Sequence, residues 1–130
     1  RHTPEMQEQI GAELLFTPHL VPMNRGILAT CYARPQGDAP TTASLLATIA
    51  TFYKNEQYIV VRPGIPSTKA TLGSNSVHIT ARFDERTGYV MVIAALDNLA
   101  KGASGGAVQS MNVALGLPES SGLSNVGMYP

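Results

Sequence analysis

Charged side chains are scarce in this 130-residue chain: they make up 14% of it, where about 25% is usual. Nine basic and nine acidic side chains give a formal net charge of zero. Non-specific binders of nucleic acid or of membrane surfaces depend on a basic excess, so neutrality argues against both kinds of partner. The shortage of charge also indicates that part of the surface is not meant for water.

Long apolar runs, cysteine pairs and metal-ligand patterns are missing as well. No apolar run approaches the ~20 residues of a membrane-spanning helix, and nothing resembles a signal peptide. The single cysteine, Cys31, excludes an internal disulfide framework, and the three histidines lack metal-ligand spacing. We therefore expect no metal and no membrane segment, and a reducing cytoplasm is the default setting. The start at Arg1, without methionine, suggests a piece of a longer protein.

The hydrophobic content of 44% is ordinary for a globular protein and argues against a disordered chain. The length predicts one domain over residues 1–130. Apolar periodicity, prolines and glycines predict helices and strands in the order α-β-β-α-β-β-β-α. The predicted helices are Pro4–Gln9, Thr41–Tyr53 and Gly106–Leu115, and the predicted strands are Leu14–Val21, Gly26–Arg34, Tyr58–Val61, Ser76–Phe83 and Tyr89–Leu96. We expect a loop over Arg62–Leu72 and an aperiodic tail from Leu117 to Pro130.

This order predicts an α+β domain whose mixed, largely antiparallel sheet carries helices on one face. Alternation in Ser76–Phe83 places Val77, Ile79, Ala81 and Phe83 on one side of that strand. Tyr89–Leu96 has no polar side chain except the Tyr89 hydroxyl, so both of its faces should be buried. We therefore expect the uncovered face of the sheet to meet another subunit or domain.

Three places could carry chemistry. Glu5 follows His2 by three residues, a spacing that could orient an imidazole base, although a helix-start salt bridge is the commoner outcome. The glycine-rich stretch Asp97–Gly106 contains Lys101 and could bind an anion, or could simply be a tight strand-to-helix corner. Its glycine spacing matches neither a P-loop nor a dinucleotide fingerprint. Arg25 could pair with a carboxylate or phosphate, but a solvated turn arginine is more usual.

The lone thiol and the other two histidines are weaker candidates. Cys31 lies in the apolar strand around Leu28–Tyr32, so we expect it to be buried and inert rather than nucleophilic. His19 and His78 are predicted to be structural or exposed.

Several runs of the sequence together resemble the C-terminal half of the N-acetyl-gamma-glutamyl-phosphate reductases of arginine biosynthesis. The runs are Arg1–Glu5 (RHTPE), Phe16–Ala29 (FTPHLVPMNRGILA), Leu72–Asn75 (LGSN), Ala94–Gly105 (AALDNLAKGASG), Ala107–Asn112 (AVQSMN) and Gly122–Leu123. The resemblance covers nearly the whole chain. The second run is quite specific, whereas the DNLxKGA pattern is shared with aspartate-semialdehyde dehydrogenases.

The resemblance implies the C-terminal fold of glyceraldehyde-3-phosphate-dehydrogenase-like enzymes and an NADPH-dependent reduction of an acyl phosphate to an aldehyde. It implies a homo-oligomer, dimer or tetramer, acting on N-acetyl-glutamyl phosphate. It makes His2 the catalytic candidate, with Glu5 as its possible orienting partner. Asn98 and Lys101 match residues near the nicotinamide side of the cleft, and Arg25 is a weaker candidate for an anionic substrate group.

Two parts of the family pattern have no counterpart in this sequence. The N-terminal NADP-binding domain, with its glycine-rich turn, is absent, and Cys31 does not match the motif of the nucleophilic cysteine. The chain by itself is therefore expected to be inactive as a reductase. Two alternatives stay open: a non-catalytic dimerisation module, and an aspartate-semialdehyde-dehydrogenase-type reductase.

Overall fold

The computed structural model describes residues 2–128, so Arg1, Tyr129 and Pro130 lie outside the described residues. Helices and strands follow one another in a mixed order, and a π-helical turn precedes the last helix. In chain order the elements are α1 (His2–Ile10), β1 (Ile27–Ala33), α2 (Thr42–Phe52), β2 (Ile59–Val61), α3 (Thr68–Thr71), β3 (Val77–Asp84), β4 (Tyr89–Leu96), the π-helical turn (Ala100–Ser104) and α4 (Gly105–Ala114).

The four strands form one sheet in the order β1-β4-β3-β2. β4 pairs antiparallel with both β1 and β3, whereas the short β2 pairs parallel with β3. The β3–β4 hairpin closes where the Gly88 N–H donates to the Asp84 carbonyl at 2.8 Å. The predicted α+β class with a mixed, largely antiparallel sheet is confirmed.

Helix α2 begins where the sequence predicts, because Thr41 and Ser44 form a capping box at its first turn. The Thr42 hydroxyl accepts a hydrogen bond from the Phe83 N–H at 3.1 Å and so ties the helix to β3. The helix packs against β3 and β2. None of the described helices is long and apolar enough to cross a membrane.

Two predictions about secondary structure are wrong. The predicted strand Leu14–Val21 is irregular chain, because Pro18 and Pro22 break up its ladder of N–H donors and no neighbouring strand pairs with it. Its side chains stand out into solvent, with Leu15 93% exposed. The predicted loop Arg62–Leu72 contains α3, whose first turn is capped by the Ser67 hydroxyl.

The core is small and unusually polar. Its buried apolar side chains are Tyr58, Val77, Ile79, Ala81 and Ala95. Three of the four residues predicted on the inward side of β3 are thus buried, whereas the fourth, Phe83, is half-buried. Thr80, on the opposite side of that strand, is buried as well. The other buried polar or charged side chains are Thr71, Ser74, Asn75, Ser76, Asp97 and Asn112.

Two expectations of burial are also corrected. Cys31 is exposed, because β1 is the edge strand of the sheet and is covered by no other described element along most of its length. Most of Tyr89–Leu96 is only half-buried, although it lies between two strands. Within residues 2–128, nothing covers much of the sheet around these two strands.

The tail after α4 has neither helix nor strand through residue 128, yet it is held to the body of the domain. The Asn75 N–H donates to the Ser124 carbonyl at 2.8 Å, and the Met128 N–H donates to the Leu72 carbonyl at 2.8 Å. The Ser76 hydroxyl donates to the Asn125 carbonyl at 2.6 Å. These bonds give hydrogen-bond partners to polar groups of the segment before β3, so the tail is fixed against that segment.

Gly127 is the tightest point of this tail. A Cβ at Gly127 would overlap the carbonyl of Ala70, which is backbone and cannot turn aside. We expect Gly127→Ala to lower the free energy of unfolding by about 1–3 kcal/mol in urea denaturation. Gly64→Ala is the control, because a Cβ at Gly64 meets no atom within 4 Å. Equal stability of the two variants would show that the tail is not held as described.

Candidate active site

The buried Asp97 carboxylate, directly after β4, joins three separate segments of the chain. Its Oδ1 accepts hydrogen bonds from the Leu99 and Ala100 N–H groups, both at 2.8 Å. Its Oδ2 accepts one from the Gly73 N–H at 2.6 Å. The Arg25 guanidinium Nη2 lies 3.0 Å from Oδ1 and 2.9 Å from Oδ2. We call this arrangement the Asp97 corner.

Burial alone would raise the pKa of Asp97, because the charged form loses water. The hydrogen bonds from Gly73, Ala100, Arg25 and Leu99 outweigh burial and lower the pKa to about 2. The group is therefore a carboxylate at neutral pH, and each of its bonds is charge-assisted.

Arg25 and Asn98, two of the predicted binding residues, meet at the Asp97 corner. The Asn98 Oδ1 accepts from the Gly26 N–H at 2.7 Å, so Asn98 fixes the residue beside Arg25. Gly26 has a φ of 118°, and a Cβ there would lie 2.6 Å from the Thr68 Cβ, so only glycine fits. Arg25 is 32% exposed, and its Nε is buried without a partner among residues 2–128.

The glycine-rich stretch that follows is a π-helical turn rather than an ordinary loop. Its wide spacing is seen where the Ser104 N–H donates to the Leu99 carbonyl at 3.0 Å and the Gly102 N–H to the Asp97 carbonyl at 2.9 Å. A Cβ at Gly105 would overlap the Asn75 Oδ1, so this glycine lets the turn lie against the segment before β3. π-Helical turns are rare and are frequently found at functional sites.

Lys101, on this turn, is held by a polar cluster that we call the Gln109 cluster. The Lys101 Nζ donates to the Gln109 Oε1 at 2.7 Å, and the Asn75 Nδ2 donates to the same oxygen at 2.7 Å. The Gln109 Nε2 donates to the Glu119 Oε1 at 2.5 Å. The Lys101 Nζ also lies 5.6 Å from the centre of the Tyr58 ring. Burial raises the pKa of Tyr58, and the nearby Glu119 charge adds to that rise.

Two clefts adjoin these groups. A cleft of about 210 Å³ lies between the π-helical turn and the tail, and it includes Asn75, Ser104 and Gly105. A second, of about 480 Å³, lies along α4 and is lined by Lys101, Gly106, Gln109, Ser110, Val113 and Ala114. Lys101 and Gln109 are the largest polar side chains of the second cleft.

The predicted catalytic pair lies on α1. His2 is exposed, and its imidazole meets the Phe16 ring edge-on at 6.2 Å between centroids. Glu5 is exposed too, and no hydrogen bond or ion pair joins it to His2 within the described chain. The role given to this pair by the resemblance stays a prediction.

Sequence reasoning missed Asp97, Gln109 and Glu119 as members of the site. Asp97 did carry a signal, because an aspartate between an apolar strand and a helix start often accepts hydrogen bonds from the next N–H groups. Gln109 and Glu119 carried none, since their partners are distant in sequence. No group of three or more metal-ligating His, Cys, Asp or Glu side chains occurs in residues 2–128.

The chain is similar to known proteins by two comparisons, one with a family model and one with individual proteins. A family model described as "Semialdehyde dehydrogenase, dimerisation domain" matches residues 1–98. Proteins named N-acetyl-gamma-glutamyl-phosphate reductase match the whole chain: 46% identical in Thermus thermophilus, 48% in Geobacter sulfurreducens and 46% in Acidothermus cellulolyticus. The chain spans 42% of the first of these relatives and 40% of the other two, about two fifths of their length.

Replacing the Asp97 carboxylate by an amide of the same size should strongly destabilise the domain. In Asp97→Asn the amide nitrogen must face a buried donor, and the Arg25 charge loses its partner. We expect a loss of roughly 3–5 kcal/mol in the free energy of unfolding, measured in urea at neutral pH. Asp38→Asn, the same change in an exposed loop, should cost less than about 0.5 kcal/mol.

The pH dependence of the free energy of unfolding tests whether the ionised Asp97 carboxylate causes this stability difference. A depressed pKa in the folded state contributes stability above the unfolded value of 3.8, and this contribution is lost as the pH falls towards 2. The stability difference between wild type and Asp97→Asn should therefore shrink as the pH falls through that range. A difference that stays constant down to pH 2 would contradict the ionised carboxylate.

Proposed function

The chain belongs to the dimerisation-domain family of semialdehyde dehydrogenases, and we propose that it is the C-terminal catalytic part of a cytoplasmic N-acetyl-gamma-glutamyl-phosphate reductase. The observation that carries the proposal is the match of the whole chain, at 46–48% identity, to three reductases of that name. The Asp97 corner and the Lys101 turn supply the polar groups that such a reaction needs beside an anionic substrate.

The proposed reaction converts N-acetyl-gamma-glutamyl phosphate, NADPH and a proton to the semialdehyde, phosphate and NADP⁺. A cysteine thiolate displaces phosphate from the acyl carbon, and the resulting thioester is then reduced and released as the aldehyde. NADPH supplies the hydride. We place the nucleophilic cysteine and most of the NADP site in a preceding domain, since Cys31, the single cysteine of this sequence, does not match the motif of the nucleophilic cysteine.

His2 is proposed to move the protons of this reaction. An imidazole can accept and return a proton, so it can take the thiol proton, give it to the oxyanion formed when hydride reaches the thioester, and take it back as the aldehyde forms and the thiolate leaves. Phe16 restricts the ring through its edge-on contact and leaves the imidazole exposed to a facing domain. Glu5, one turn further along α1, is proposed to orient the imidazole when the site is closed.

The residues of the corner are proposed to contact the ligands. The Oδ1 of Asn98 is used by Gly26, while its Nδ2 has no partner among residues 2–128 and can donate to cofactor or substrate. Arg25 is held by Asp97 through Nη2, and its Nε is buried, so Nη1 is the group left to meet an anionic substrate group. Lys101, which lines the cleft along α4, supplies a cation in addition to Arg25.

The role of His2 is tested in the intact protein that contains this chain. We expect His2→Asn to lower kcat by about 10²- to 10⁴-fold, because proton transfer loses its positioned group. NADPH oxidation with N-acetyl-gamma-glutamyl phosphate measures the rate. The control is His19→Asn, since His19 is exposed and, among residues 2–128, hydrogen-bonds only to the nearby Thr17 carbonyl. Equal rates for both variants would remove His2 from the mechanism.

We also propose that the uncovered part of the sheet forms a homo-oligomer interface. The register places Leu28 opposite Ala95 and Tyr32 opposite Met91, so these side chains share one face of the sheet. Leu28 is 53% and Tyr32 65% exposed, so this apolar surface is not covered by any part of residues 2–128. The family description supports assembly through this domain.

The interface is tested by charge substitution on that face. Leu28→Lys should convert the oligomer to monomer, because a buried lysine without a partner is costly. Sedimentation velocity of the intact protein measures the change. Phe52→Lys is the control, because Phe52 is an exposed apolar side chain on α2, outside the sheet. An unchanged oligomer in Leu28→Lys would place the interface elsewhere.

A further inference from the structure

The Gln109 side chain connects four parts of the fold that come together at the cleft along α4. It lies on α4, and its oxygen binds Lys101 of the π-helical turn and Asn75 of the segment before β3. Its nitrogen binds Glu119 of the tail. No other side chain of the described residues links these four parts through hydrogen bonds.

The orientation of this amide is fixed by its partners. Lys101 and the Asn75 Nδ2 can only donate, so the atom between them must be the Gln109 oxygen. The Glu119 carboxylate can only accept, so the atom facing it must be the amide nitrogen. A flipped amide would lose all three bonds at once.

The consequence concerns the charge on Lys101. No carboxylate of residues 2–128 lies within 4.0 Å of the Lys101 Nζ, and the amide of Gln109 stands between it and Glu119. A neutral acceptor fixes the ammonium in position without cancelling its charge. The ammonium lines a cleft of about 480 Å³ whose other walls are small or apolar, Val113 and Ala114 among them.

We propose that Gln109 is a positioning residue that holds the Lys101 ammonium, with its charge uncancelled, to bind a phosphate oxyanion in the cleft along α4. The inference rests on the proposed function, in which both the acyl phosphate and NADP carry such oxyanions. A glutamate at this position would still accept from Lys101, but it would pair ionically with that ammonium and place a second carboxylate against Glu119. An amide at position 109 therefore holds Lys101 and leaves its charge available to a ligand.

The experiment uses the intact protein in the reverse direction, where phosphate is a substrate. The semialdehyde is oxidised, NADP⁺ takes the hydride, and inorganic phosphate becomes bonded to the acyl carbon with release of a proton. Wild type is compared with Gln109→Glu, Gln109→Met and Lys101→Gln. Gln36→Glu is the matched control, because it makes the same charge change in an exposed loop.

We expect Gln109→Glu and Lys101→Gln each to raise one KM at least about tenfold, with a much smaller change in kcat. A rise in the KM for phosphate assigns the oxyanion to the acyl phosphate. A rise in the KM for NADP⁺ assigns it to the cofactor. Gln109→Met, which keeps length but loses both bonding atoms, should have an intermediate effect, and Gln36→Glu should have none.

Two results would overturn the proposal. One is unchanged KM values in Lys101→Gln, and the other is a loss of thermal stability in the Gln109 variants with unchanged KM values, which would make Gln109 merely structural. If Gln109→Glu does not fold, Gln109→Met and Lys101→Gln decide the question.

Failure of the proposed function looks different. A wild-type protein that folds but oxidises no semialdehyde would reject the reductase assignment. Calorimetric titration with inorganic phosphate and with NADP⁺, repeated on Lys101→Gln, then decides the phosphate site by itself. Binding of either probe that weakens about tenfold in the variant supports the site, and equal binding or none overturns it.

Discussion

One buried charge organises this domain. The Asp97 carboxylate replaces the water it loses with three backbone N–H groups and the Arg25 guanidinium, so a group that burial would neutralise stays ionised. The same bonds set the direction of the chain as β4 gives way to the π-helical turn. They also hold Arg25 and Gly73 against the Asp97 carboxylate. Such an anchor specifies a geometry rather than adding large net stability, since a buried ion pair repays little more than its desolvation.

The anchored corner determines where the functional groups lie. The π-helical turn places Lys101 against Gln109, and Gly105 lets that turn approach Asn75. The tail completes the arrangement, because Glu119 accepts from Gln109 and Ser124 accepts from the Asn75 backbone. The candidate site is therefore made from positions far apart in sequence, each held by polar contacts that a small apolar core could not provide.

The sequence predicted the regular elements better than the contacts between them. Periodicity and capping identified α2 and the hairpin strands, because their signals are local. The strand predicted over Leu14–Val21 is wrong, because its apolar residues are exposed and pair with no other strand. The burial predicted for Cys31 is wrong as well, because an apolar sequence does not show whether a strand lies at the edge or in the centre of a sheet. The sequence indicated that Arg25 could pair with a carboxylate, and the resemblance added Asn98, but the partners Asp97 and Gly26 depend on tertiary structure. Gln109 had no local signal at all.

The distances along the chain within the Asp97 corner bear on the order in which the protein folds. Arg25 and Asp97 are 72 positions apart, whereas β3 and β4 are joined by a short turn between Asp84 and Tyr89. Closing a long loop costs more entropy than closing a hairpin, so the hairpin forms early and the ion pair late. We therefore expect the Asp97 corner to be assembled last, so that its geometry reports that the rest of the domain is already in place.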